Sequence, residues 1–371
     1  EQQREVGDLG RAARLAAVGV DVLAEQVDLT HALLGQLGAG LSFIMIGTGL
    51  QVTQTAGMAL ANDVAQEDKR PRVVALLYCM LLLGMIVSSV LYGLFLSDFT
   101  PLRMIQVIQG SAVLVIVINL VSMWKQESRQ AKRGARAPGG FSASWKELIA
   151  MPQMRRFLWT VGLGSLAFSM QDIVLEPYGA EILGLDVGNT SSLTALGAVG
   201  SLVAFGLSAK WLASGWHACR LASFGVLIGL PAFALVIFAA PTESVAMFRT
   251  GVVLIGFGSG LFSVGMLVTA MSFQNTHMSG LILGTWGAVQ ATATGAAMAM
   301  GGAVRDIVTE MALSGRLGEA LNSPITGYSF VYHLEMYLLF VVLIALGPLL
   351  KRSRTESTQP VLKFGLAELP S

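Results

Sequence analysis

Long apolar stretches alternate along the chain with short polar ones. At a rise of 1.5 Å per residue, a helix crosses a bilayer core of about 30 Å in roughly 20 residues. Nine stretches reach that length: 39–60, 74–96, 104–124, 157–178, 191–213, 221–240, 246–271, 280–302 and 328–350. Several carry internal polar side chains, among them Gln51 and Gln54 in the first and Gln171 and Asp172 in the fourth, which marks helices facing a bundle interior. The pattern predicts an all-α, polytopic membrane helix bundle.

Composition narrows the class without altering that picture. Of the 371 residues 54% are apolar and 13% charged, with a mean hydropathy of +0.65. Soluble domains carry about 25% charge, so too few charges exist here to cover a water-facing surface. A net charge of +1 gives no basic face for nucleic acid, so no nucleic-acid partner is expected. Cys79 and Cys219 make neither a disulfide framework nor metal spacing. Gly256-Phe-Gly-Ser-Gly260 lies inside an apolar stretch rather than after a strand, which rejects a nucleotide fingerprint. With no catalytic constellation either, an enzyme is not expected.

The sidedness of lysine and arginine predicts the topology. Segments 61–73 and 125–156, the turn near 210–220 and the tail from 351 together hold 17 of them, against 4 (Arg103, Arg249, Arg305, Arg316) on the opposite side. The loop 125–156 and the C-terminus are therefore expected in the cytoplasm. Residues 1–38 form a leader containing Arg14, Asp21, Glu25 and Asp28 among apolar residues. An amphipathic helix at the interface and an unstructured leader both fit it. The first residue is Glu1, and nine spans with the tail inside put it outside, so the chain is expected to be a fragment or processed product.

The expected domains are the leader 1–38, a three-span block 39–124, the basic loop 125–156, a six-span block 157–350 and the tail 351–371. Six spans after a long basic loop resemble the second half of a major facilitator bundle, with the three earlier spans as parent helices four to six and helices one to three missing. The local sequences are narrower. Gly47-Thr-Gly-Leu-Gln-Val-Thr-Gln-Thr-Ala-Gly57, Ala61-Asn-Asp-Val-Ala and Lys69-Arg-Pro-Arg-Val73 resemble the PucC/LhaA family of light-harvesting complex assembly proteins, also called the bacteriochlorophyll delivery family. So do Met170-Gln-Asp-Ile-Val-Leu-Glu-Pro-Tyr-Gly-Ala-Glu-Ile-Leu-Gly184, Trp286-Gly-Ala-Val-Gln-Ala-Thr-Ala-Thr-Gly295, Tyr332-His-Leu-Glu335 and Phe364-Gly-Leu-Ala-Glu368. One departure concerns transport. Lys210 stands about where transporting facilitators carry an acidic loop residue, which argues against rocking transport.

The resemblance implies an assembly factor in the cytoplasmic or intracytoplasmic membrane of phototrophic bacteria. It would help bacteriochlorophyll reach light-harvesting α and β polypeptides. Bacteriochlorophyll is the implied transient ligand, with carotenoid as a second pigment, and bacteriochlorophyll synthase, the protein translocation machinery and membrane lipid are further implied partners. A secondary transporter of a small or lipophilic molecule is the alternative reading.

Ionisable side chains at membrane depth are costly, which makes them candidates for function. Asp172 and Glu176, four apart on one helix face with Gln171 beside them, read either as a polar patch on a central cavity or as groups capping the helix before Pro177. His333 and Glu335 open the last span, where His333 is a candidate ligand for a pigment magnesium or an interfacial hydrogen-bonding residue; no other metal ion is expected. His277, in a cytoplasmic turn, is a weaker candidate ligand, and His217 beside Trp211 and Trp216 reads as an interface anchor. Gln54 and Gln290 read as pigment or partner contacts, or as bonds across helices. Asp63 and Arg72 read as a structural charge network at the first cytoplasmic turn. Gly256 with Gly260, and Gly197 with Ser201, have the small-xxx-small spacing of close helix contact.

Overall fold

The computed structural model describes residues 34–50, 52–54, 56–57, 70–122, 140–273 and 279–353. Every regular element among them is helical. The chain divides into two units, 1–74 and 75–371. In the first, α1 covers 34–50, and the described residues that follow, up to 57, are helical as well. Its Ser42 and Thr48 hydroxyls donate to the carbonyls of Gly38 and Ile44 one turn earlier, a usual way for hydroxyls to be satisfied inside an apolar helix.

The second unit is built from α2 (Arg70–Phe95), which begins just before it, α3 (Pro101–Ser122), α4 (Gly140–Ala150), α5 (Pro152–Ser169), α6 (Gln171–Glu181) and α7 (Val187–Ala213). It continues with α8 (Ala218–Ala239), α9 (Val245–Ser272), α10 (Ser279–Leu313) and α11 (Ile325–Ser353). Seven helical segments among the described residues are long and apolar enough to span a membrane, with α5 and α6 together forming one from Pro152 to Glu181. The eighth expected stretch, 280–302, lies in the 35-residue α10, where Thr285, Gln290, Thr292 and Thr294 dilute the apolar run. Two expected boundaries move. The basic segment 125–156 contains α4 and the first residues of α5, so the span that follows starts at Pro152 rather than 157. Proline at the first helical position has no N–H to lose and is preset for helix entry, so the helix begins five residues before the apolar run. The leader to residue 33, Gln51, Asp63, His277 and the tail beyond 353 lie outside the described residues, and Arg72 is described only as part of α2.

In the six-span block, α9 packs between α7 and α8, α8 also meets α11, and α5 packs against α10 and α11. Glycine sets the closest approach. Gly256 of α9 lies on the backbone of Gly197 in α7, while the Ser201 hydroxyl donates to the Gly256 carbonyl at 2.8 Å. Gly260, one turn on, meets the Ser201 backbone and Ala204. The two small-xxx-small motifs of the sequence thus face each other. Gly215, with φ 90°, ends α7: its N–H donates to Leu212 and the Trp216 N–H to Trp211, the paired bonds of a Schellman cap. This turn stacks Trp211 on Trp216 at 5.3 Å, with Phe224 edge-on to both.

The outward faces are apolar to a degree that water does not tolerate. No residue of α3 is buried, and Val113 through Ile118 are all exposed. Contiguous apolar surface on this scale marks contact with lipid or another protein, and the succession of spanning helices makes the chain a multi-pass membrane protein.

Candidate functional site

Helix α5 gives way to α6 at Met170, and the reason is a side chain from another helix. The backbone N–H of Gln171 donates to Oε1 of Glu335 in α11 at 2.7 Å, and a side chain inserted into the backbone ladder is one of the identifiable causes of a helix break. Helix α10 reaches the same point, because Gly301 has no Cβ to strike the Met170 carbonyl. The break is thus held by α11 and α10. It sets Gln171, Asp172 and Glu176 on a short helix aimed at the space between α7, α9 and α10.

That space is a cavity of about 430 Å³, inside the roughly 300–1,000 Å³ range of small-molecule pockets. Its polar wall comes from Gln171, Asp172 and Glu176 of α6, with Thr194 and Ser201 of α7. Ser259 and Ser263 of α9 and Gln290 and Thr294 of α10 continue that wall. Leu82 and Met85 of α2, with Leu193, Ile255, Phe262 and Met298, supply the apolar part. Gln171 Nε2 donates to Asp172 Oδ1, and Thr194 Oγ1 donates to Glu176 Oε1 at 3.0 Å. Gln171 is only 8% exposed, and its Oε1 accepts no hydrogen bond among the described residues. A smaller cavity of about 280 Å³ between α2 and α7 shares Met85, Glu176 and Thr194 with the first.

The structure brings four of the expected residues, Gln171, Asp172, Glu176 and Gln290, to one cavity, and leaves others apart. Glu335 is fully buried behind the cavity wall, where it fixes the helix break. His333 is exposed on the opposite side of α11 and does not line the cavity; its Nδ1 lies 2.7 Å from the Ser329 carbonyl oxygen. Gln54 belongs to the other unit. His217 stands at the entry to α8, its carbonyl accepting from the Arg220 and Leu221 N–H groups.

Two features of this region went unmarked in the sequence. Tyr178 sits among Phe248, Tyr328 and Tyr332 at centroid distances of 5.3 to 5.6 Å, and its hydroxyl donates to the Val236 carbonyl at 3.1 Å. Arg305 of α10 donates to Glu181 at 2.6 Å and to Asp306 at 2.8 Å, and its guanidinium lies 4.5 Å from the centre of the Tyr328 ring. The Tyr328 hydroxyl donates to the same Glu181 oxygen at 2.7 Å. This clamp ties α6, α10 and α11 together one or two turns beyond the cavity. The only sequence signal for it was the scarcity of cations on that side. Arg305→Gln lowers stability by about 1–2 kcal/mol, because charge-assisted bonds are lost at a partly exposed site. Glu181→Gln added to it costs little more. Thermal unfolding of the detergent-purified variants measures both, and additive losses would break the clamp into unrelated contacts.

Similarity to known proteins follows the same lines. A crystal structure of a bacterial homologue of the human lysosomal transporter Spinster, inward-facing and unoccupied, superposes with a TM-score of 0.56 at 15% identity, covering 79% of this chain and 74% of that one. The likeness gives the fold as that of the major facilitator transporters. A Rhodobacter capsulatus protein described as "Uncharacterized protein in puhA-bchM intergenic region" is 43% identical over 98% of this chain and 78% of its own length. Protein PucC of Rhodovulum sulfidophilum is 43% identical over 74% of this chain and 62% of its own length, and that of Rhodobacter capsulatus 39% identical over 86% and 69%. The "Bacteriochlorophyll synthase 44.5 kDa chain" of Rhodobacter capsulatus is more distant, at 24% identity. Residues 8–354 match the family described as PUCC protein, and the chain belongs to that family.

Proposed function

We propose that this protein is a membrane assembly factor for bacterial light-harvesting antenna complexes, aiding the delivery of bacteriochlorophyll to antenna α and β polypeptides and their assembly. The observation that carries the reading is the identity of about 40% with proteins named PucC across most of the chain. The site is compatible with it. A magnesium tetrapyrrole with a long hydrocarbon tail is too apolar for water, and its metal takes an axial oxygen or nitrogen ligand. Asp172 and Glu176 offer oxygens at a cavity that also has a broad apolar wall. They are better placed for that role than His333, which lies on the outer face of α11 with Nδ1 engaged. The protein would work in the cytoplasmic or intracytoplasmic membrane with its C-terminus in the cytoplasm, near bacteriochlorophyll synthase and the translocation machinery.

Transport of a small or lipophilic molecule is the second reading, favoured by the cavity among α2, α6, α7, α9 and α10. Lys210, exposed in the last turn of α7 where facilitators that transport carry an acid, weighs against it. Purification from pigment-producing cells decides between the two. The assembly factor carries bacteriochlorophyll absorption or co-purifies with antenna polypeptides, and the absence of both refutes the assembly role. Asp172→Ala with Glu176→Ala lowers mature antenna while the protein stays in the membrane at near-normal amounts; unchanged antenna removes the patch from the mechanism.

A further inference from the structure

Two carboxylates stand on the cavity wall without a counter-charge among the described residues. Among the described residues Asp172 and Glu176 form no ion pair, and none of those lining the cavity is Lys, Arg or His. Among the described residues their hydrogen-bond partners are neutral: the Gln171 amide for one and the Thr194 hydroxyl for the other. Beside them, Gln171, also among the residues lining the cavity, is more than nine-tenths buried, and its amide oxygen accepts no hydrogen bond among the described residues. The orientation of that amide is fixed by chemistry, since only its nitrogen can donate to the Asp172 carboxylate. The wall therefore presents acceptor oxygens with no donor of full positive charge, and the cavity continues into the apolar surfaces of Leu175, Leu193, Ile255, Phe262 and Met298.

Unpaired carboxylates in a low-dielectric setting are costly, and a guest that brings positive charge or hydrogen-bond donors relieves that cost, whereas an anion adds to it. From this juxtaposition we infer that the cavity binds lipophilic guests with a cationic or donor-bearing centre and rejects anionic guests of the same shape. The apolar wall holds the body of the guest and the α6 face holds its charge. The selectivity belongs to the cavity itself and stands whether or not the antenna reading does.

Tetraphenylphosphonium and tetraphenylborate share size and shape and differ in the sign of their charge. Equilibrium dialysis of each against the full chain in lipid nanodiscs, with protein-free nanodiscs subtracted, reads the preference directly in the wild-type protein. Saturable binding of the phosphonium with none for the borate is the expected result. Asp172→Asn with Glu176→Gln then weakens phosphonium binding about tenfold or more, since only the charges have been removed. Equal binding of the two ions, absence of saturable phosphonium binding, or full affinity in a folded double variant each overturns the inference. The antenna content of cells is a separate measurement, so failure of the cation preference and failure of the assembly role are told apart.

Discussion

Glu335→Leu unfolds at a clearly lower temperature than the wild type, while Glu335→Gln does not. The carboxylate is wholly inside the protein, and its Oε1 is the acceptor for the Gln171 N–H where α5 breaks into α6. Leucine fills much of the volume but leaves a backbone donor at membrane depth without that acceptor, a loss of about 1–3 kcal/mol, with misfit of the branched side chain in addition. Glutamine keeps an oxygen at the same reach. It also removes a carboxylate whose Oε2 has no hydrogen-bond partner among the described residues, so any charge held there is relieved rather than stranded. Fluorescence-detected size-exclusion chromatography after a heating series orders the three proteins. A leucine variant as stable as the wild type would show that the break stands without Glu335, and a glutamine variant as poor as the leucine would show that charge, not acceptance, is what α11 supplies.

Gly256→Leu separates α7 from α9 and prevents recovery of folded protein, and even Gly256→Ala costs several kcal/mol. A Cβ at this position meets the Gly197 carbonyl carbon at 2.7 Å and its Cα at 2.9 Å, and those are backbone atoms that no rotamer change can move. Overpacking in a core usually costs about 1–3 kcal/mol when side chains can yield, so a backbone clash exceeds that range. The helix pair also forms the side of the cavity carrying Ser201 and Ser259, which makes the loss functional as well as structural. Gly206→Ala is the matched control on α7: a Cβ there meets nothing within 4 Å, and its variant behaves as the wild type or better. Equal yields of folded protein from the Gly256→Ala and Gly206→Ala chains would contradict the close packing.

Much of the bundle could be read in the sequence, because length and hydropathy are local properties and the bilayer imposes one length on every span. The small-xxx-small motifs at Gly197 and Gly256 were visible for a related reason: four-residue spacing places both small residues on one helix face whatever the partner. Helix entry at Pro152 and the helix α4 were missed because the apolar run and the helix are different things, and a proline start extends the second beyond the first. Gln171, Asp172 and Glu176 stood out because polar side chains inside an apolar span are rare. Their spacing on one face was correct, but spacing says nothing of what lies opposite.

By itself the sequence determined the membrane class, the helical bundle, the helix faces and the polar patch of α6, all of which follow from periodicity within single helices. Which residues met across helices was decided only in the tertiary structure. Glu335 and His333, two residues apart, lie about 200° apart around α11 at 100° per residue. One is sealed against the Gln171 N–H and the other faces outward. Gln290, more than a hundred residues from Asp172, lines the same cavity, and Arg305 closes on Glu181 across α10 and α6. Such pairings depend on how helices rotate and approach once glycine lets their backbones touch, and no local pattern encodes that rotation.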